Sequence, residues 1–257
     1  MPFALITGAS KGIGKAIAEL LALRGYDILL VARSANLLDQ VSKEIQSSSG
    51  RKCYYLEADL SSADSAESVF NWCERNHYDV SVLVNNAGYG LSGPFEKYGL
   101  KEYTEMLQVN MLTLTQLCRL FAPTLQKQSA GYILNIGSTS AYQALPFLAA
   151  YAASKAYVLT FSRGLFQEYR KTNLSVTCVC PGPTDTNFVN RANVGVKALN
   201  AAERFNMTPA AVAKIAVDGL FKKKAEVITG GMNKLSAFFA WLLPKTMVEN
   251  VAKKLYD

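Results

Sequence analysis

The chain has 257 residues, of which 50% are hydrophobic and 18% charged, a balance that excludes an intrinsically disordered protein and fits one α/β domain. The formal net charge of +7 suits an anionic cofactor, a membrane surface or nucleic acid, but the basic residues are scattered and not interleaved with aromatics, which disfavours nucleic acid. Five cysteines form no Cys-x-x-Cys pair, so we expect buried reduced thiols and no metal site. The N-terminus runs straight into a strand pattern without a basic leader, which favours a cytoplasmic location.

Short β-rich apolar runs alternate with longer helical patterns along the whole chain, as in a parallel sheet with helical crossovers. Strands are predicted over 3–7, 27–32, 53–57, 80–84, 132–136, 176–180 and 227–229, and helices over 12–24, 36–46, 63–76, 101–126, 149–169 and 209–221. Right-handed crossovers place such helices on both faces of one doubly wound sheet, with the ligand crevice at the carboxyl ends of the strands. The weakly periodic segment 187–206 is predicted to be a substrate lid.

A glycine-rich turn, Thr7-Gly8-Ala9-Ser10-Lys11-Gly12-Ile13-Gly14, follows the first strand and opens the first helix. Glycines there allow a sharp turn and let backbone N–H groups approach a pyrophosphate. Such turns also serve as plain connections, but a strand before the turn and a helix after it favour dinucleotide binding. The residues predicted to bind cofactor here are Gly8, Ser10, Lys11, Gly12, Ile13 and Gly14.

The spacing Gly-x-x-x-Gly-x-Gly, with further motifs in chain order, resembles the short-chain dehydrogenase/reductase family. These motifs are Asp59-Leu60, Asn85-Asn86-Ala87-Gly88, Tyr151-x-x-x-Lys155 and Pro181-Gly182. The resemblance extends to about Gly230 and is strongest for the branch of 3-ketoacyl reductases and 17β-hydroxysteroid dehydrogenases. It implies one Rossmann domain over 1–257, with strand order 3-2-1-4-5-6-7, in an enzyme that moves a hydride between a nicotinamide cofactor and a carbonyl or alcohol.

The end of the second strand indicates which cofactor is used. An acidic residue there would bind the ribose 2′-hydroxyl of NAD and repel the 2′-phosphate of NADP, but the chain has Ala32 followed by Arg33, with Lys11 in the glycine turn. Two cations favour a phosphate, so NADP(H) is predicted. The alternative is that both cations are only solvated surface residues.

The family resemblance also implies roles for the remaining cofactor residues. Asp59 would bind the adenine edge, Asn86 and Gly88 would flank the adenosine ribose, and Thr186 would hold the carboxamide. Alternatively, Asp59 is a helix N-cap and Thr186 a loop hydroxyl. Leu60, Ala87, Pro181, Gly182 and Thr184 complete the predicted set.

Tyr151 and Lys155 are four residues apart in a helical pattern, so their side chains share one face. A phenol has a pKa of about 10, and a nearby ammonium lowers it, so Tyr151 can act as general acid and base. By resemblance, Lys155 also binds the nicotinamide ribose, Ser138 binds the substrate oxygen with Ser140 as the alternative serine, and Asn110 bends its helix and holds a water linked to Lys155. The intact set favours a working enzyme over an NADP-binding sensor or structural protein.

Two apolar segments remain. Tyr89, Tyr142 and 145–148 are predicted to border a hydrophobic ketone or alcohol, fatty-acyl or steroid-like. The C-terminal extension 232–257 is amphipathic and lysine-flanked, and over 235–256 it could cap the pocket, pack on a partner subunit or contact a membrane peripherally, with the first two favoured. By resemblance, helices 101–126 and 149–169 would form a homodimer or homotetramer interface.

Overall fold

Seven parallel strands form one sheet in the computed structural model, which describes residues 1–184 and 206–256. The strands are β1 (Phe3–Thr7), β2 (Asp27–Ala32), β3 (Cys53–Glu57), β4 (Val80–Asn85), β5 (Gly131–Ile136), β6 (Leu174–Cys180) and β7 (Glu226–Ile228). Their order is β3-β2-β1-β4-β5-β6-β7, which confirms the predicted fold. The predicted lid, apart from Asn206, and the predicted cofactor residue Thr186 lie outside the described residues.

Nine helices are described beside the sheet. They are α1 (Gly12–Leu23), α2 (Ala35–Ser49), α3 (Ser65–Arg75), α4 (Leu100–Leu107), α5 (Leu114–Lys127), α6 (Ala149–Glu168), α7 (Pro209–Phe221), α8 (Gly231–Leu242) and α9 (Lys245–Tyr256). Thr208 caps α7 by accepting a hydrogen bond from the Ala211 amide at 3.2 Å, and Pro209 begins the helix, as the sequence predicts.

Two apolar layers hold the helices on the sheet. Alternate residues of a strand point to opposite faces, so Ala4 and Ile6 of β1 pack in one layer and Leu5 in the other. Helices α1, α2 and α7 cover the first face, and α3, α5 and α6 cover the second. Both faces of the sheet are therefore buried, and connecting loops lie together at the carboxyl ends of the strands.

The predicted single helix over 101–126 is wrong in detail. A π-helical segment, Gln108–Thr113, separates α4 from α5. The buried side chain of Asn110 lies in this segment and hydrogen-bonds the backbone of Tyr89. A π turn accommodates one additional residue and commonly marks a functional position. This polar side chain thus reaches the interior between α5, which packs on the sheet, and α4, whose Met106 packs in a separate apolar cluster.

The C-terminal extension is two helices joined at Leu243-Pro244. Proline has no N–H to donate and disfavours helical backbone in the residue before it, so α8 ends at Leu242 and α9 begins at Lys245. Among the described residues, none of the helices is long and apolar enough to cross a membrane. All five cysteines are free and buried, as predicted, and His77 is exposed.

Candidate active site

A cavity of about 490 Å³ lies at the carboxyl ends of the strands, where the fold predicts the ligand crevice. The predicted residues that line it are Gly8, Ser10, Lys11, Gly12, Ile13, Arg33, Asp59, Leu60, Asn86, Ala87, Gly88, Ser138, Tyr151, Lys155, Pro181, Gly182 and Thr184. Gly14 and Asn110 are buried and do not line it. The sheet thus brings residues as distant in the sequence as Gly8 and Thr184 to one crevice.

The glycine turn has the backbone that the sequence pattern requires. Gly8 and Gly12 have φ of 65° and 60°, which other residues adopt only with strain. At Gly14, a Cβ would lie 2.5 Å from the Gly8 carbonyl oxygen, so the helix can approach the turn this closely only with glycine. The turn and the start of α1 open into the cavity, a geometry suited to a pyrophosphate.

The side-chain amide of Asn86 hydrogen-bonds the glycine turn. Its Nδ2 donates to the carbonyl oxygens of Thr7 and Gly8 at 2.9 and 3.0 Å, while the Thr7 Oγ1 accepts from the amides of Asn86 and Ala87 at 3.0 and 3.1 Å. The side-chain amide therefore braces the glycine turn against the end of β4, and Asn86 also lines the cavity, so its predicted place beside the ribose stays a prediction.

The end of β2 and the glycine turn each present one cation to the cavity. Ala32 is buried, whereas Arg33 and Lys11 are exposed and line the cavity. Asp59 also lines it, and its Oδ1 accepts from the Ser61 amide and hydroxyl at 3.0 and 2.9 Å. Because α3 begins at Ser65 with Asp64 as its N-cap residue, the alternative that Asp59 caps this helix is wrong.

Lys155 lies at the inner end of the cavity and is 5% exposed. Its Nζ donates to the Ile136 carbonyl oxygen at 2.8 Å and lies 5.9 Å from the ring centre of Tyr151, which is 6% exposed. Burial lowers the pKa of Lys155 to about 8, because an ammonium loses hydration there. Because both side chains are shielded from water, a positive charge on Lys155 interacts strongly with the Tyr151 phenol.

Asn110 joins the π-helical segment and α6 to the loop after β4. Its Nδ2 donates to the Tyr89 carbonyl oxygen at 2.9 Å and to Ser154 Oγ at 3.0 Å, and its Oδ1 accepts from the Tyr89 amide at 3.1 Å. A Cβ on Gly88 would lie 3.0 Å from this Oδ1 and 3.4 Å from the Lys155 Nζ. Glycine at position 88 thus permits the close approach of Asn110 and Lys155.

Ser138 and Ser140 both line the cavity in the turn after β5. Ser138 Oγ accepts from the Ser140 amide and donates to the Ser140 hydroxyl, both at 3.1 Å. The Ser138 hydroxyl is therefore held in place by the 3₁₀ turn Thr139–Tyr142. Both serines remain candidates to bind the substrate oxygen.

Tyr142 does not line the cavity, contrary to the prediction that it borders the substrate. Its hydroxyl donates to Glu226 Oε1 at 2.5 Å, and Arg163 Nη1 donates to Oε2 of the same carboxylate at 2.8 Å. Burial and the neighbouring charges raise the pKa of Tyr142. The turn that carries Ser138 is thus anchored to β7 and to α6, which carries Tyr151.

Replacing Tyr142 by phenylalanine is expected to lower the free energy of unfolding by about 1.5–3 kcal/mol, because a hydrogen bond to a carboxylate is lost and its acceptor is left half-buried. Urea unfolding of the variant measures this. Tyr103→Phe, which loses a hydrogen bond to the Phe95 carbonyl in an exposed setting, is the control and should cost less. Equal losses in both variants would contradict the anchoring role.

Several cavity residues were not predicted from the sequence, among them Ser34, Leu37, Glu105 and Val109. Ser34 directly follows Arg33 and could have been found from that position. Glu105 and Val109 lie one turn apart across the junction between α4 and the π-helical segment, and the sequence pattern of one long helix does not show which of its faces turns to the crevice. Among the described residues, no cluster of histidine, cysteine and carboxylate side chains could hold a metal.

Comparison with known proteins agrees with this geometry. The family model described as short chain dehydrogenase matches residues 2–197. The chain is a short-chain dehydrogenase/reductase. It is 32% identical over 231 residues to a 7β-hydroxysteroid dehydrogenase of Clostridium sardiniense, covering 90% of this chain and 86% of that protein. It is 36% identical over 183 residues to very-long-chain 3-oxoacyl-CoA reductase-B of Danio rerio, covering 70% of this chain but only 58% of the relative.

Solved structures extend the comparison to the family's cofactor. A short-chain dehydrogenase from Sphingobium yanoikuyae in complex with NADPH superposes with a TM-score of 0.83 at 30% identity, covering 94% of each chain. A 7β-hydroxysteroid dehydrogenase structure has a TM-score of 0.88 at 24% identity, covering 98% of this chain and 96% of the other, which shows the shared fold. The protein is thus an oxidoreductase of the family that acts on alcohol and carbonyl groups with a nicotinamide cofactor.

The burial of Lys155 predicts a pH-dependent contribution to stability. The folded state binds this proton more weakly than the unfolded state, whose lysine pKa is near 10.5, so the charged lysine destabilises the fold most below about pH 8 and progressively less as the pH rises to 10.5. The stability advantage of Lys155→Met over the unaltered protein should therefore shrink by about 2–3 kcal/mol between pH 7 and pH 10. Urea unfolding of the cofactor-free proteins measures it.

The difference between the two proteins removes the contribution of Cys53 and Cys73, two buried thiols that also titrate at alkaline pH. Burial raises the pKa of Cys53 to about 11 and of Cys73 to about 12, and both proteins contain them. Lys171→Met, at an exposed lysine, controls for removing a positive charge. If the stability advantage of Lys155→Met stays constant or grows with pH, burial of the Lys155 ammonium does not destabilise the folded state.

Proposed function

We propose that this enzyme is an NADP(H)-dependent oxidoreductase that interconverts a hydrophobic ketone and a secondary alcohol, with Tyr151 as general acid and base. The observation that carries the proposal is the pairing of Tyr151 with the buried Lys155 at the inner end of a cavity whose other end is the glycine turn. A cofactor held along the cavity would bring its reactive ring to the side of this pair.

The preference for NADP over NAD rests on the end of β2. Arg33 and Lys11 both line the cavity beside Ala32, and they would hold a 2′-phosphate by charge-assisted hydrogen bonds. Ser34 lines the same part of the cavity and adds a hydroxyl. The NADPH complex of the Sphingobium relative supports the same choice.

Each side chain around Tyr151 has its own role in the proposed reaction. The nicotinamide supplies or accepts the hydride when it is bound. In the direction of reduction the Tyr151 hydroxyl gives its proton to the carbonyl oxygen, and the Lys155 ammonium stabilises the phenolate that remains. Ser138, whose Oγ accepts a hydrogen bond from the Ser140 amide, turns its hydroxyl hydrogen from Ser140 Oγ to the same oxygen and donates to it as negative charge develops there. Asn110 acts on the pair indirectly through Ser154, whose hydroxyl donates to the Tyr151 carbonyl oxygen at 2.7 Å.

The substrate class follows from the apolar cluster beside Tyr151. Met106, Leu145, Leu148, Tyr151, Ala152 and Ala252 form one buried cluster, against which Tyr89, Leu91, Tyr103 and Leu107 pack. Leu148 and Tyr89 also line the cavity. A bulky apolar ketone would bury surface against these residues. The two relatives named above, which act on a hydroxysteroid and a long-chain 3-oxoacyl thioester by their names, are consistent with this class.

The test is the oxidation of NADPH and of NADH by the full chain across a panel of ketosteroids, bulky aromatic ketones and 3-ketoacyl thioesters. Turnover of apolar ketones with preference for NADPH is expected. Ser138→Ala should lower kcat by about 10²-fold, whereas Ser140→Ala should have a smaller effect; the reverse order would assign the substrate oxygen to Ser140. Tight NADPH binding without turnover of any ketone would instead support a sensor.

A homodimer or homotetramer through α4–α5 and α6 remains a prediction. On the face that these helices present, Leu112 is exposed, which is compatible with a contact between subunits. Size-exclusion chromatography with light scattering gives the mass in solution, and Leu112→Glu should lower it if the interface includes this residue.

A further inference from the structure

The last two helices form a hairpin whose two faces differ in burial. Ala237 and Ala240 of α8 and Ala252 of α9 are buried, and Ala252 packs in the apolar cluster that includes Tyr151. This inner face therefore packs on the body of the enzyme beside the cluster around Tyr151, but no described residue of the hairpin lines the cavity. The opposite face, which we call the outer hairpin face, consists of Met232, Leu235, Phe238, Phe239, Trp241, Leu242, Met247 and Val251.

The outer hairpin face is a concentrated apolar patch. Its eight side chains are 44–73% exposed and make up half of the 16 exposed large hydrophobic residues in the described part of the chain. Phe238 lies 5.9 Å from Phe239 and 6.0 Å from Trp241, measured between ring centres. Single exposed apolar residues are ordinary, but a contiguous group of this kind marks a surface that binds something.

Charge indicates what this surface binds. Residues 232–257 contain four lysines, at 234, 245, 253 and 254, and two acidic residues, Glu249 and Asp257. Lys234 precedes Phe238 by one helical turn, and Lys245, beyond the break at Pro244, donates from its Nζ to the Ala240 carbonyl oxygen at 3.2 Å, so one ammonium group lies near each end of α8. Tryptophan and phenylalanine bordered by lysines suit the boundary between acyl chains and anionic headgroups. Contact between two copies of this face would instead bring four lysines of each copy together, with only two carboxylate side chains per copy to offset them.

We propose that the outer hairpin face docks on the surface of an anionic lipid bilayer, with α8 lying in the plane of the interface. At 12 residues, α8 is about 18 Å long and cannot span a hydrocarbon core of about 30 Å. Because the inner face of the same hairpin covers the cluster around Tyr151, docking places the substrate side of the enzyme next to lipid. The proposal concerns binding alone and holds whether or not the proposed reaction is correct.

The test measures binding of the full chain to vesicles of phosphatidylcholine with and without phosphatidylglycerol. The chain has two tryptophans, so Trp72→Phe leaves Trp241 as the reporter. We expect the protein to sediment with the anionic vesicles, with a blue shift of Trp241 emission that is lost at high salt. Phe238→Ser with Leu242→Ser should weaken binding by about tenfold or more, and Lys253→Gln and Lys254→Gln by about fivefold each on anionic vesicles only.

Leu100→Ser, at an apolar residue that is 89% exposed outside the hairpin, is the matched control and should leave binding unchanged. Circular dichroism of each variant checks that it is folded. The proposal is overturned if the anionic vesicles do not bind the protein, or if Leu100→Ser weakens binding as much as the hairpin variants do. It is also overturned if the hairpin variants convert an oligomer into a monomer and leave vesicle binding unchanged, since the face would then be a subunit interface.

Discussion

Replacing Tyr151 by phenylalanine is expected to lower kcat for ketone reduction by about 10³-fold while NADPH binding changes by no more than about twofold. The ring of Tyr151 packs in the apolar cluster with Leu145 and Leu148, and phenylalanine preserves that packing. Only the hydroxyl that gives the proton is lost. Single-turnover rates and the quenching of protein fluorescence by NADPH separate the two effects.

The matched control is Tyr157→Phe, two turns further along the same helix. The hydroxyl of Tyr157 lies 2.8 Å from Thr115 Oγ1 and does not line the cavity, so kcat should stay within about twofold. Comparable kcat losses in the two variants, or a Tyr151→Phe enzyme that keeps most of its rate, would exclude Tyr151 as the proton donor.

Changing Ala32 to aspartate together with Arg33 to serine is expected to reverse the cofactor preference. The ratio of kcat/KM for NADPH to that for NADH should fall by about 10³-fold, because one charge-assisted hydrogen bond to the 2′-phosphate is lost and a repelling carboxylate is added. That carboxylate would at the same time accept hydrogen bonds from the ribose hydroxyls of NADH. Initial rates with both cofactors at a saturating ketone concentration measure the ratio.

Arg75→Ser is the control for this pair, because Arg75 is exposed on α3 and does not line the cavity. It should leave the ratio unchanged. An Ala32→Asp, Arg33→Ser enzyme that still prefers NADPH would show that Lys11 and Ser34 suffice to hold the phosphate, or that the phosphate binds elsewhere.

The family resemblance predicted most of the cavity lining, whereas the sequence by itself determined the strands, their parallel arrangement, the glycine turn and the shared helical face of Tyr151 and Lys155. Each has a local physical origin. A buried parallel strand requires a short β-rich apolar run, the turn before α1 requires glycine where φ is positive at Gly8 and Gly12, and a spacing of four places Tyr151 and Lys155 on one helical face. These requirements act within a few residues, so the chain itself displays them.

Only the tertiary structure decided how distant residues share their hydrogen bonds. The Asn86 amide braces the glycine turn through the carbonyl groups of Thr7 and Gly8, nearly 80 residues away. The anchoring of Tyr142 by Glu226 likewise joins residues 84 positions apart. Neither contact leaves a periodic pattern in the sequence, because a single side chain satisfies it.

The helices show the same division. Amphipathic periodicity predicts that a segment is helical. The π turn at Asn110 adds a residue, however, and each residue rotates a helix by about 100°. The sequence therefore did not predict which face of α4 meets the crevice. In the C-terminal extension, the sequence shows apolar residues and lysines at helical spacing. Which of the apolar residues are buried depends on what lies opposite them: Ala252 meets the cluster around Tyr151, while Trp241 meets no apolar partner outside its own hairpin among the described contacts.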